Sequence, residues 1–270
     1  MTEFIDVDGR QIALLRRPGK EPGLFWLGGY RSEMTGSKAQ ALDAWGERSG
    51  HAVTRFDYSD HGQSGGAFDD GSISRWLAEA LAAFDTTEGG QIVVGSSMGG
   101  WLALLLIRAL RARGGSRIKG LILVAPAADM THELMQAGFT AKQRKAMKRD
   151  GYVEEASDYG APYRISQAFI DDGAKHLLFG KGIVTGCPVI ILQGERDRDV
   201  PREHAMKLVQ HLLTDPVQLT LVPDGDHRLS RPQDLALLEN SVERMLALIE
   251  EAERPPPPPP PTQLDLLEDL

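Results

Sequence analysis

Residues 91–104 read Gln-Ile-Val-Val-Gly-Ser-Ser-Met-Gly-Gly-Trp-Leu-Ala-Leu. A β-branched apolar run meets Gly-x-Ser-x-Gly and passes directly into a Leu/Ala-rich segment, the strand-turn-helix order that presents a serine at a sharp apex. Ser97 is that serine. To carry its hydroxyl at the tip of a buried strand the chain must turn through a strained conformation, and side chains at Gly95 and Gly99 would collide with the neighbouring strand and helix. The helix that follows aims its free N–H groups and positive dipole end at any anion formed there.

A serine hydroxyl is a weak nucleophile until a base takes its proton, and the base needs an oriented carboxylate. Both are expected just after strands. Gly194-Glu195-Arg196-Asp197-Arg198-Asp199-Val200-Pro201 follows one apolar run, and Pro223-Asp224-Gly225-Asp226-His227-Arg228 follows the next. Asp197 is the leading acid. Asp199, which could instead cap the helix beginning near Arg202, and Asp129, which ends an earlier strand, are its rivals. Of seven histidines, His227 alone follows the final strand. His61 sits in a strand-end loop ahead of the serine, and His51, His132, His176, His204 and His211 read as surface positions.

The tetrahedral oxyanion of acyl transfer needs two N–H donors, one just after the nucleophile and one from the loop after an earlier strand. The Met98 amide is the first and the Tyr30 amide the candidate second. Gly28 and Gly29, at the end of a short buried strand, would let backbone approach the reacting group, and with Arg31 they are candidate substrate contacts. The bland alternative is a tight turn and nothing more. This chemistry calls for no metal and no organic cofactor.

The elements that must position these groups follow from the pattern. Phe4 to Leu15 reads as a hairpin turning at Asp8-Gly9, an antiparallel edge. Buried strands are expected at Gly23–Leu27, Ala52–Tyr58, the run before Ser97, Ile118–Val124, Cys187–Gly194 and Val217–Val222. Helices lie at Ser37–Ser49, Ser74–Phe84, after Ser97, and at Arg202–Leu213 and Pro232–Glu253. Strand-helix alternation implies a mostly parallel, eight-stranded α/β sheet with helices on both faces. From about 128 to 181 no convincing buried strand appears, only helical fragments at His132–Gly138, Thr140–Arg149 and Arg164–Leu178. That segment is expected to be a helical cap over the carboxyl ends of the strands, with the core at 1–127 and 182–253. Residues 254–270 form a proline-rich acidic tail, expected to be polyproline II in its prolines and able to dock in an aromatic-lined groove of a partner.

Composition narrows the function class. The chain has 270 residues, 41% hydrophobic and 25% charged, with a net charge of -8. An acidic balance argues against a nucleic-acid surface, and the one basic cluster, Lys142 to Arg149, reads as a solvated helix face. A single cysteine, Cys187, excludes an internal disulfide and suits a reducing compartment. No apolar run is long enough for a transmembrane helix. Without a transit-like N-terminus, a bacterial cytoplasmic setting is expected ahead of a mitochondrial matrix.

Taken together, residues 27–36, Arg55-Phe56-Asp57-Tyr58-Ser59, Val94 to Trp101 and Asp226-His227-Arg228 resemble the α/β-hydrolase superfamily, and in particular its branch of acyl-protein thioesterases. The resemblance spans Phe4 to Glu253. It implies an α/β-hydrolase fold and a Ser97, Asp197, His227 triad in that superfamily's chain order. It also implies a serine hydrolase acting on acylated proteins, as in removal of palmitoyl groups from cysteines, or on acyl glucuronides. Relatives often carry His-Gly where this chain has Gly28-Gly29. A general short-chain carboxylesterase is the neighbouring expectation. A catalytically idle hydrolase fold that binds a partner through its proline tail is the expectation from another class.

Overall fold

The computed structural model describes residues 1–66, 71–157 and 160–254. The proline run and acidic tip, read above as a tail, lie outside the described residues. Eight strands form one sheet: β1 (Glu3–Val7), β2 (Arg10–Arg17), β3 (Lys20–Leu27), β4 (His51–Phe56), β5 (Gln91–Ser96), β6 (Ile118–Val124), then β9 (Val189–Gly194) and β10 (Val217–Val222). Their spatial order is β1-β2-β4-β3-β5-β6-β9-β10. The pairs from β4 through β10 are parallel, and β1 and β2 form the antiparallel edge. The hairpin turn falls at Asp8-Gly9 as the sequence predicts, with both residues at positive φ.

Strand alternation sorts the core into two layers. Leu24, Trp26, Ile92, Val94, Ile122, Val124, Ile190 and Leu192 point to one face, against Ala39, Leu42 and Trp45 of α1 (Ser37–Ser49) and Leu238, Val242 and Met245 of α7 (Pro232–Glu253). Their sequence neighbours Phe25, Leu27, Val93, Leu121, Leu123, Val189 and Ile191 point to the other. There they meet α2 (Ile73–Asp85), α3 (Met98–Ala112) and α6 (Arg202–His211). The middle strands, covered on both faces, are therefore apolar at nearly every position, as parallel strands require.

Between β6 and β9 the chain leaves the sheet. It forms a π-helical stretch at Thr131–Gln136, α4 (Ala141–Asp150), the strands β7 (Tyr152–Ser157) and β8 (Gly160–Ser166), and α5 (Gln167–Ala174). The helical parts were legible: Thr140 caps α4 in a reciprocal box with Gln143, and the basic cluster is its largely exposed face. The hairpin, with Val153 and Ile165 buried, corrects the expectation that 128–181 shows no convincing buried strand, and it shortens the helix expected over Arg164–Leu178 to α5. Val153 and Ile165 are paired across the hairpin and buried, while Glu154 and Arg164 are paired on its exposed side. This period-2 alternation was present in the sequence but diluted by charged residues.

Hydrogen bonds close the base of the insertion and fix it to the core. The Asp129 carboxylate, where the insertion begins, accepts the amides of Leu178 (2.8 Å) and Phe179 (2.8 Å), where it ends. Asp172 of α5 accepts the Ser74 amide at 2.8 Å and the Ser74 hydroxyl at 2.7 Å, closing the amino end of α2. His204 of α6 donates from Nε2 to the Ala128 carbonyl at 2.8 Å. His204 and His51, read above as surface positions, are buried.

The elbow glycines are fixed by contact. A Cβ at Gly95 would stand 2.3 Å from the Gly99 carbonyl oxygen, and one at Gly99 would stand 2.0 Å from the Leu27 carbonyl oxygen. Both obstacles are backbone, so neither can swing aside. Gly99→Ala is expected to cost about 3 kcal/mol or more through forced separation of α3 from β3. Gly138→Ala, where a Cβ meets nothing within 4 Å, should stay within about 0.5 kcal/mol of the parent. Urea unfolding midpoints check both, and equal midpoints for the two variants would contradict the packing account.

Candidate active site

Ser97 stands between β5 and α3 at φ 54°, ψ -118°, a region that costs a non-glycine residue of order 1–3 kcal/mol. The turn is held from below: Ser97 donates its amide to the Val124 carbonyl at 2.9 Å, and its own carbonyl accepts the amides of Gly100 (2.9 Å) and Ala127 (3.0 Å). The side chain is thereby lifted to the carboxyl end of the sheet.

His227 reaches it from the loop after β10. Its Nε2 lies 3.1 Å from Ser97 Oγ, and its Nδ1 lies 2.8 Å from Asp197 Oδ2. A carboxylate can only accept, so Nδ1 carries the proton and Nε2 is left with a lone pair facing the serine hydroxyl. Asp197 follows β9 and is 7% exposed, which would be unfavourable for a charge without partners. Its partners are several. Oδ1 accepts the amides of Asp199 (2.9 Å) and Val200 (2.8 Å), and Gln193 Nε2 lies 3.2 Å from Oδ2.

The rival acids are thereby placed. Asp129 is engaged at the base of the insertion, where burial raises its pKa and the two amides it accepts oppose that rise. Asp199 supports Asp197 through its backbone. It does not cap α6, whose N-cap is Pro201 without a side-chain bond. Asp197, Asp199 and His227 offer ligand atoms within 4.8 Å of one another. The carboxylate of Asp197 is, however, committed to two amides and the imidazole, so hydrogen bonding within a serine site accounts for this cluster. Cys187 is buried and its thiol is pushed up to about 11, chiefly by burial; it packs as a small hydrophobe.

Loop 28–36 lies against the serine. A Cβ at Gly29 would be 3.3 Å from Ser97 Cβ and 3.3 Å from the Ser96 carbonyl oxygen. The backbone entering Tyr30 is thus in contact with Ser97. Gly28 differs, because a Cβ there meets nothing nearer than 3.7 Å; close approach belongs to Gly29. Met98 is the first residue of α3, so its amide is among the helix N-terminal donors that have no intrahelical acceptor. Its side chain is wholly buried.

Arg31 and Tyr30 face the insertion. The Arg31 guanidinium stands 4.9 Å from the centre of the Tyr163 ring. The Tyr30 ring stacks on Phe169 at 5.7 Å and meets Trp76 and Tyr163 edge-on, each at 5.9 Å. A cavity of about 210 Å³ lies beside this cluster, lined by Tyr30, Trp76, Tyr152, Arg164, Ser166 and Phe169 with Gly71 and Gly151.

Sequence reading missed the groups that hold the loops. Asp57 Oδ1 accepts the Met34 amide at 2.6 Å and Oδ2 the Gln63 amide at 2.8 Å, while Arg55 donates to the Met34 carbonyl at 3.1 Å. Lys38 of α1 donates to the Arg228 carbonyl, and to Ser230 Oγ at 3.2 Å, anchoring the loop that carries His227. Arg55 and Asp57 stood only within a segment that carried the family resemblance, and nothing near Lys38 marked it.

Burial lowers the Lys38 pKa from 10.5 to about 8. The unfolded chain therefore holds this proton to higher pH than the folded protein does. Stability contributed by Lys38 should rise between about pH 8 and 10.5 and be lost as pH falls through 8. Unfolding midpoints measured across this range should climb more steeply for the parent than for Lys38→Met. Parallel profiles would contradict the burial of this charge.

Comparison with known proteins agrees with the geometry. A family model described as the alpha/beta hydrolase family matches residues 22–237. The human mitochondrial palmitoyl-protein thioesterase ABHD10 is 32% identical over 237 residues, 87% of this chain and 76% of that protein. The crystal structure of a putative hydrolase from Agrobacterium vitis S4 superposes with a TM-score of 0.87 at 48% identity, covering 91% of this chain and 98% of that one. Alpha/beta hydrolase domain-containing protein 10 from mouse superposes with a TM-score of 0.82 at 32% identity, covering 92% and 98%. With a serine elbow, a parallel sheet and these matches over most of its length, the chain belongs to the alpha/beta hydrolase family.

Proposed function

We propose that the protein is a serine hydrolase that cleaves acyl thioesters or carboxylic esters through an acyl-enzyme on Ser97. The observation that carries this reading is the hydrogen-bonded line from Ser97 Oγ to His227 Nε2 and from His227 Nδ1 to Asp197, set at a strained elbow. Ser97 Oγ attacks the acyl carbon while His227 Nε2 takes its proton. The carbonyl oxygen becomes an oxyanion held by the Tyr30 and Met98 amides. Collapse expels the thiol or alcohol, which receives the proton from His227. Water, deprotonated by the same nitrogen, attacks the acyl carbon; the bond to Ser97 Oγ breaks, the acid leaves, and Oγ takes the proton back from His227. Asp197 keeps Nδ1 protonated and stabilises the imidazolium in both halves.

The thioester preference rests on the palmitoyl-protein thioesterases that are 32% identical. Gly29 and Arg31 would line the approach to the acyl group, with Gly28 behind them. A second reading, a short-chain carboxylesterase, follows the same tetrahedral path on the same three residues. In either case the acid, Asp197, acts through tautomer control, so Asp197→Asn should preserve folding and lower kcat by about 10⁴-fold. Turnover of matched C2 to C16 thioesters and oxoesters by the parent and by Asp197→Asn tests both readings together. A thioester preference that persists at long chains supports the first, and a short-chain oxoester maximum supports the second. A flat, low profile insensitive to Asp197 would contradict the serine mechanism.

A further inference from the structure

Resting on the serine-hydrolase reading, the geometry points to His61 as the positioning residue of the oxyanion loop: its imidazole accepts the Arg31 amide and so fixes the Gly29–Ser32 turn that carries the Tyr30 amide beside Ser97. The Ser32 amide donates to the Gly29 carbonyl at 3.1 Å, which closes a four-residue turn with Tyr30 and Arg31 at its centre. Arg31 lies at φ 60° while Tyr30 is not among the residues of positive φ. That combination defines a type II turn, whose third position normally demands glycine. Here it is occupied by arginine, at a cost that a peptide flip to type I would relieve.

His61 opposes the flip. Its Nε2 accepts the Arg31 amide at 3.0 Å, and its Nδ1 faces the Ser59 carbonyl at 2.9 Å. A carbonyl cannot donate, so Nδ1 bears the proton and Nε2 is the acceptor, the tautomer the Arg31 amide needs. Burial lowers the His61 pKa, and the nearby Arg31 charge acts in the same direction, which keeps the ring neutral near pH 7. The ring is itself fixed. It meets Trp76 edge-on at 5.3 Å and Tyr58 at 5.6 Å, and its loop is anchored by the Ser59 amide on buried Glu79 at 2.8 Å. Flipping the Tyr30–Arg31 peptide would turn the Tyr30 carbonyl toward Nε2, lone pair against lone pair. The Tyr30 N–H lies in the preceding Gly29–Tyr30 peptide, so what His61 secures for it is the position of the whole turn against Ser97, where Gly29 packs.

The test uses the full chain with a p-nitrophenyl ester and reads kcat, KM and amide exchange. His61→Ala should lower kcat by about 10- to 100-fold with KM changed less than about threefold, because a misaimed donor weakens the transition state more than the ground state. Arg31 amide exchange should accelerate at least about tenfold in the same variant as the protecting bond is lost. His61→Gln, whose Oε1 can accept at the place of Nε2, should recover most of both. Adding Arg31→Gly to His61→Ala should restore part of kcat, since glycine occupies positive φ without the steric cost. An unchanged Arg31 exchange rate in His61→Ala would overturn the inference whatever the activity. So would a kcat loss that neither His61→Gln nor Arg31→Gly relieves. Absence of Ser97-dependent turnover in the parent would instead sink the hydrolase reading, while the exchange measurement still decides the role of His61.

Discussion

The structure depends on one constraint, the close stacking of backbone at the carboxyl ends of β3 and β5. Gly95, Gly99 and the Leu27 carbonyl lie so near one another that a methyl group on either glycine would overlap main chain. This contact lets α3 begin directly behind Ser97 and places the loop after β3 directly in front of it. Ser97 is held at positive φ by three backbone bonds. The strain is local and is sustained by a sheet whose central strands are buried on both faces.

Around that rigid centre the remaining groups arrive on loops, and each loop is tethered to a side chain of the framework. Asp197 is fixed by two amides and by Gln193. The His227 loop is drawn to α1 through Lys38, and the loop after β3 is held by Asp57, Arg55 and His61. The insertion is pinched at its base by Asp129 and clamped to α2 by Asp172. Tyr30 joins the two levels, its backbone against the serine and its ring inside the aromatic cluster of the insertion. The insertion is therefore one side chain away from the groups beside Ser97.

The sheet and the placement of Ser97, Asp197 and His227 were legible because their signals are periodic or chemically narrow. An apolar run before Gly-x-Ser-x-Gly has few structural uses, and a strand followed at once by Asp or Asp-His places those side chains at one edge of the sheet. The insertion was legible only in part. Thr140 and the basic face of α4 are local helix signals, whereas Val153 and Ile165 find each other across a hairpin whose strands are short and interrupted by charge. The tethering roles were not legible: Arg55 and Asp57 stood out only through the family resemblance, and Lys38 not at all. That His61 would accept the Arg31 amide, or that Lys38 would reach the Arg228 carbonyl across 190 residues, depends on which loops the fold brings together. Single positions carry no trace of it. His51 and His204 were misjudged for the same reason, since a polar ring is buried when a carbonyl awaits it, as the Pro22 and Ala128 carbonyls do.

The central claim is that Ser97 is an activated nucleophile. Treating the full chain with a fluorophosphonate and mapping the adduct by peptide mass spectrometry tests it most directly. The account predicts stoichiometric modification on Ser97, absent in Ser97→Ala and strongly slowed when His227 is replaced by alanine. Failure of the parent to label, or equal labelling of Ser97→Ala, would contradict it.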